Sequence, residues 1–190
     1  ENYHWYGSAC GHGNIKDKGT HVFDSNGKCK CGYDLVFDNA SVSTLDLDKV
    51  GDISALGCDA AIWVKDGSEL TISGDAKVHA TLCDTEGCGY STAVWAQDNS
   101  KITITGGTYT NEVLEGDDHV DLIYAKNGST IEITGGEFKC ATPKWTLNLR
   151  DKSETIAESQ IIVKGGRYYQ FNPGEVYTER EQPLNFLAEG

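Results

Sequence analysis

The chain has 190 residues with 16 basic and 29 acidic side chains, so its formal charge is 16 − 29 = −13. That balance excludes a nucleic-acid binder, which needs a cationic footprint, and it opposes docking on an anionic membrane surface. No apolar run approaches the ~20 residues of a membrane-spanning helix, so no membrane insertion is expected, and the length suits one compact domain.

Seven cysteines are many for a cytosolic domain of this size, and an odd number cannot all pair within one chain. The first residues, Glu1-Asn2-Tyr3-His4, carry no signal-peptide pattern and read as the start of a processed or excised piece. Residues 1–38 form a first unit with its own composition. Three cysteines and three histidines fall within 1–34: His4, Cys10, His12, His21, Cys29 and Cys31. Thiolate and imidazole are the ligands of a structural zinc site, and four of them close a tetrahedron. The best quartet is Cys10, His21, Cys29 and Cys31, with His4 or His12 as substitutes. The competing reading is a disulfide from Cys10 to Cys29 or Cys31 with surface histidines. Either way the task is structural, because so short a segment has little core of its own.

Residues 39–175 repeat. Four phrases share one pattern: Ser68 to Gly74, Ser100 to Gly107, Ser129 to Gly136 and Ser159 to Gly166. Their first glycines, Gly74, Gly106, Gly135 and Gly165, lie 32, 29 and 30 residues apart. A degenerate copy, Ser43-Thr44-Leu45-Asp46-Leu47, precedes them. Each phrase alternates apolar and polar residues, the period of a half-buried strand. A second short strand precedes each phrase: Ile62-Trp63-Val64, Val94-Trp95-Ala96, Ile123-Tyr124-Ala125 and Leu147-Asn148-Leu149. The last unit also carries an insertion, Ser153 to Glu158.

Short strands, no helical period and a repeat near 30 residues predict an all-β fold, a right-handed parallel β-helix of about five short rungs. A β-sandwich is the alternative, but it predicts no such self-similarity. Stacking the units places Leu70, Ile102, Ile131 and Ile161 in one interior ladder. Ile72, Ile104, Ile133 and Val163 form the next. Tyr109, Phe138 and Tyr168 form an aromatic ladder, and the glycine pairs make corners that a Cβ would obstruct. Open strand edges at the two ends need capping or pairing. Residues 1–38 and the tail 176–190 suit that role.

The N-terminal segment resembles small Cys/His modules on surface proteins of Gram-positive, Firmicutes-type gut bacteria. The match lies in His4-Trp5, Cys10-Gly11, His21-Val22-Phe23 and Gly27-Lys28-Cys29-Lys30-Cys31-Gly32-Tyr33. Tyr6 stands where those modules have a second histidine, only one cysteine stands at Cys10, and one spacer residue is missing before Cys31. The phrases Ile104-Thr105-Gly106-Gly107-Thr108-Tyr109 and Gly165 to Pro173, and the tail Asn185 to Gly190, are similar to the β-helix repeats of the same proteins. The resemblance implies an extracellular or cell-surface location.

Within the repeats, Cys83 and Cys88 flank a short stretch in the longest connection, and a disulfide between them suits an extracellular setting. Cys58 and Cys140 are a further possible pair without support from spacing. The outward position of the short strands is held by Trp63, Trp95 and Tyr124, one per rung. Such a ladder either stacks on sugar rings or is covered by a terminal segment or a neighbouring subunit. Glu115, Asp117, Asp118, His119 and Asp121 form an acidic loop with oxygen donors of the kind calcium takes, although a solvated loop is the plainer reading. Asp66, Asp98, Asn127 and Asp151 align at one turn and read as turn chemistry.

A polysaccharide lyase-like enzyme would need carboxylates beside a cationic stabiliser. The three arginines, Arg150, Arg167 and Arg180, do not align with the acidic loop. The reading is therefore a non-catalytic structural or adhesive module of a surface protein, appendage or filament. It would associate with itself or with other surface subunits. A carbohydrate-binding module is the main alternative and an enzyme the second. Elemental analysis of native protein is expected to return about one zinc per chain; a metal-free preparation with Cys10 in a disulfide overturns the quartet.

Overall fold

The structure, a computed structural model, describes residues 35–54, 60–80, 92–112, 121–150, 159–177 and 183–189. Its strands come in threes along the chain. The first coil holds β1 (Leu35–Phe37), β2 (Val42–Asp46), the one-turn helix α1 (Leu47–Val50) and β3 (Ile53–Ser54). The second holds β4 (Ala60–Val64), β5 (Glu69–Ser73) and β6 (Lys77–Ala80), and the third β7 (Thr92–Ala96), β8 (Lys101–Ile104) and β9 (Thr108–Asn111). The fourth holds β10 (Ile123–Ala125), β11 (Thr130–Ile133) and β12 (Glu137–Cys140), and the fifth β13 (Leu147–Leu149), β14 (Gln160–Val163) and β15 (Arg167–Tyr168).

Each strand pairs in parallel with its counterpart one coil away. The result is three five-stranded parallel sheets, β1-β4-β7-β10-β13, β2-β5-β8-β11-β14 and β3-β6-β9-β12-β15. This is the β-solenoid that the repeats predict. At ~4.8 Å per strand, the five rungs give a rod of about 24 Å. The expected boundary after residue 38 falls just beyond β1, which already pairs with β4. The cysteine-histidine unit itself lies outside the described residues.

The register places like on like. In the middle sheet Leu70 pairs with Ile102, Ile102 with Ile131 and Ile131 with Ile161. The second ladder runs Leu45, Ile72, Ile104, Ile133 and Val163. All of these side chains are buried. Burying them removes apolar surface worth about 1.5–3 kcal/mol per large side chain, before the entropy of ordering the chain is counted. The third sheet contributes Tyr109 and Phe138, both fully buried, with half-buried Tyr168 above them. The rings stack at 5.0 and 4.9 Å with planes 6° and 10° apart, which is the strand spacing itself. Each tyrosine hydroxyl donates to a corner carbonyl three residues back, Tyr109 to Gly106 and Tyr168 to Gly165. The aromatic column thus enters the core without a buried polar orphan.

Two corners hold the sheets at a fixed length. At the first, four residues join the first sheet to the second in the first four coils. Asp66, Asp98 and Asn127 there adopt positive φ of 55°, 58° and 54°, a conformation Asp and Asn tolerate. Asn127 Nδ2 donates to Asp98 Oδ1 at 3.0 Å, and Gly67 N donates to Asp98 O at 2.8 Å. The same corner carries a buried serine column. Ser41 N donates to Ser68 Oγ, Ser100 N to Ser129 Oγ, Ser100 Oγ to Val64 O and Gly128 N to Ser159 Oγ. The serines satisfy turn amides that the parallel ladders leave over.

At the second corner the paired glycines stack. A Cβ on Gly135 would run into Thr105 O, and one on Gly165 into Thr134 O. The second glycine of each pair, Gly107, Gly136 and Gly166, has φ between +93° and +104°, where a side chain is strained. Ile104→Ala, in the central coil, is expected to cost about 2–5 kcal/mol in urea unfolding, and Gly135→Ala to lower the midpoint as well. A Gly135→Ala protein with wild-type stability would contradict the stacked corner.

Candidate functional site

The metal quartet Cys10, His21, Cys29 and Cys31, with His4 and His12, lies outside the described residues. So do Cys58, Cys83, Cys88, Glu115, Asp117, Asp118, His119 and Asp151. Among the described residues, no group of three or more His, Cys, Asp or Glu is placed to hold a metal ion. No helix there is long and apolar enough to cross a membrane. Asp121 is buried, and its backbone oxygen accepts from Asn111 Nδ2 at 3.0 Å. Cys140 is buried at the end of β12. Burial pushes its thiol up to about 11, which keeps it protonated at neutral pH.

The predicted aromatic column exists as a register. Trp63 pairs with Trp95, and Trp95 with Tyr124. The column begins at Val36 and ends at Asn148. The two indoles stack at 5.3 Å and 22°, and Tyr124 tilts against Trp95 at 5.6 Å. Lysines lie over the rings, Lys65 from the turn after β4 with Nζ 4.8 Å from the Trp63 centroid, and Lys126 from the turn after β10, one coil on, with Nζ 4.3 Å from that of Trp95. The column is largely covered. Trp95 is 7% exposed, Val36 4% and Asn148 2%, while Trp63 and Tyr124 are half-buried. Trp63 Nε1 and Asn148 Oδ1 are buried with no hydrogen-bond partner among the described residues.

The exposed apolar surface lies elsewhere. Among the described residues the large hydrophobic side chains that remain exposed are Val42, Tyr169, Tyr177 and Leu187. Val42 belongs to the first coil, at 80% exposure. The other three follow the last coil. The tail folds back on that end. Val163 N donates to Phe186 O at 2.7 Å, and Ala188 N to Val163 O at 2.9 Å, a parallel bridge that sets Leu187 beside Val163. Val176 and Leu184 exchange an antiparallel pair of bonds at 2.8 Å, and Phe186 is buried. The tail therefore takes the free edge of β14. An open groove of about 530 Å³ remains there, lined by Val163, Gly165, Tyr168, Pro173, Leu187 and Glu189. One-residue bridges have no period, so the alternating pattern of the sequence does not show this cap.

The outer face of the third sheet holds a histidine that the repeats do not mark. His79 Nδ1 and Thr110 Oγ1 share a 2.6 Å hydrogen bond, and Glu112 Oε2 lies 3.7 Å from Nε2. The side chain is 14% exposed. Desolvation, then Lys77, lower its pKa below the ordinary 6.5, against the opposing pull of Glu112 and Thr110.

No protein-family model matches the chain, no curated protein matches it, and no solved structure matches it.

The depressed histidine has a stability consequence. The unfolded chain binds the proton more readily, so the contribution is present above pH ~6.5 and is lost as pH falls below it. Thermal melts between pH 7.5 and 5 are expected to fall more steeply for the wild type than for His79→Gln. Parallel slopes would contradict the assignment.

Proposed function

We propose that this chain is a non-catalytic extracellular module, a structural unit of a bacterial surface appendage or filament whose short rods associate through their ends. The observation that carries the reading is the placement of exposed apolar side chains. Val42 lies at one end of the rod and Tyr169, Tyr177 and Leu187 at the other, while the flanks between them expose no large hydrophobic side chain among the described residues. A rod whose described residues expose large apolar side chains in its first coil and beyond its last is suited to linear association. The surface location rests on the resemblance of residues 1–34 and of the repeats to Gram-positive surface proteins. A zinc-stabilised N-terminal unit is part of the same proposal.

The rival reading gives the Trp63, Trp95 and Tyr124 column a glycan. Sugar rings stack on aromatic faces that solvent can reach. The Trp63 and Trp95 faces lie against each other and beneath lysines, and Trp95 is 7% exposed. That geometry favours a packed outer seam over a sugar platform.

Electron microscopy and light scattering of the purified full chain at high concentration are expected to show filaments or defined oligomers, and a strictly monomeric solution would overturn the proposal. On a glycan array the chain is expected to give no retention. A hit abolished in a folded Trp95→Ala protein would establish the glycan reading instead.

A further inference from the structure

We infer that Asn127 is a self-modification site. Its side-chain amide is lost by spontaneous deamidation through the Gly128 backbone nitrogen, at a rate that the fifth coil holds down through Ser159.

The sequence supplies the reacting pair. Asn127-Gly128 lies at the first corner of the fourth coil, with φ of +54° and +78°, and Asn127 is exposed. Glycine has no Cβ to shield its nitrogen. The equivalent corners lack this combination. Asp66 precedes Gly67 but carries a carboxylate, a poor electrophile, and Asp98 precedes Asn99. Attack of Gly128 N on Asn127 Cγ forms a C–N bond and closes a cyclic imide. The Cγ–Nδ2 bond breaks, and Nδ2 leaves as ammonia with the Gly128 amide proton. Water then opens the ring at either carbonyl and leaves aspartate or isoaspartate at 127. Water is the only co-reactant.

The fold restrains both reacting groups. Asn127 Nδ2 donates back to Asp98 Oδ1 of the third coil at 3.0 Å, and Gly128 N donates forward to Ser159 Oγ of the fifth at 2.9 Å. Electrophile and nucleophile are thus tied to coils on opposite sides. The forward tie differs from its counterparts. At the three preceding corners the same amide donates to a backbone carbonyl, Ala40 N to Asp66 O, Gly67 N to Asp98 O and Asn99 N to Asn127 O. Gly128 N has a side-chain hydroxyl instead, where the fifth coil replaces the four-residue turn with residues 150–159. Ser159 is buried. Freeing Gly128 N therefore takes local opening of the fifth coil or loss of that hydroxyl.

The product disturbs the corner. A carboxylate at 127 faces Asp98, whose other oxygen accepts from Gln97 Nε2 at 2.8 Å. A donor has become a like charge, and isoaspartate adds a methylene to the backbone of the turn. Deamidation is irreversible and weakens the rod where its last coil attaches.

The test follows the full chain by peptide mapping at mildly alkaline pH, with a synthetic peptide of residues 124–131 as the unfolded reference. Mapping is needed because Asn26-Gly27 repeats the dipeptide. Asn127 is expected to convert, about tenfold or more slowly than in the peptide, since two hydrogen bonds oppose the reaction. Ser159→Ala is expected to speed the conversion about fivefold, the worth of one hydrogen bond. Ser68→Ala, which takes the corresponding hydroxyl from Ser41 N at a distant corner, is expected to leave the rate unchanged. An Asn127 that stays intact while the peptide converts overturns the site. Conversion at the peptide's rate, or a Ser159→Ala rate no faster than that of the wild type or of Ser68→Ala, overturns the gate. Should Ser159→Ala unfold, hydrogen exchange decides. Low urea is expected to raise Gly128 exchange and Asn127 conversion in proportion, and conversion that stays constant as exchange rises overturns the gate. Asn127→Asp is expected to lower the melting midpoint by about 2–4 °C, and an unchanged midpoint overturns the weakening.

Discussion

Everything in this molecule follows from one backbone constraint, the parallel ladder that sets each coil ~4.8 Å from the next. A ladder with that spacing and no slip superimposes each residue on its equivalent one repeat away. Side chains then have few independent choices. An isoleucine must tolerate another isoleucine above and below it, as Ile102 does with Leu70 and Ile131. Rings must lie nearly flat on rings, as Phe138 does between Tyr109 and Tyr168. Corners must be glycine where backbone passes backbone.

The same constraint explains why so much of the fold is legible in the sequence. Superposition in space appears along the chain as self-similarity, so the apolar ladders, the aromatic column and the glycine corners can be read by aligning the repeats. The serine column was visible as Ser68, Ser100, Ser129 and Ser159, but its role was not. That role depends on which turn amides remain after the ladders form, and only the folded backbone shows those. The closing bridge of Val163 with Leu187 left no trace, because a single pairing has nothing to repeat.

The aromatic column marks the limit of that legibility. The alternation placed Trp63, Trp95 and Tyr124 on the outer face, and the register agrees. Whether an outer face is wet is decided by what lies over it, here the neighbouring rings and lysines, not by alternation. Lys65 and Lys126 each stand one position beyond a strand, but Lys65 covers the ring of its own coil and Lys126 that of the coil before, so the repeat does not dictate the cation–π contacts. His79 is different. Its partner Thr110 comes from the adjacent coil, and no other rung has a histidine there.

The corners also set how such a chain can change over time. The turns 38–41, 65–68, 97–100 and 126–129 all have four residues, and the glycine corners 74–76, 105–107, 134–136 and 164–166 all have three. The connections from the third sheet back to the first vary instead, from five residues after Ser54 to eleven after Ala80. In the three central coils two edges of the prism thus keep a fixed length and the third does not, while the end coils depart from it, the first with α1 at the second corner and the fifth with ten residues, 150–159, at the first. Copying one whole coil would lengthen the rod in a step of ~4.8 Å and leave both ends as they were. Length becomes a quantity that gene duplication can count out, separate from whatever the ends bind.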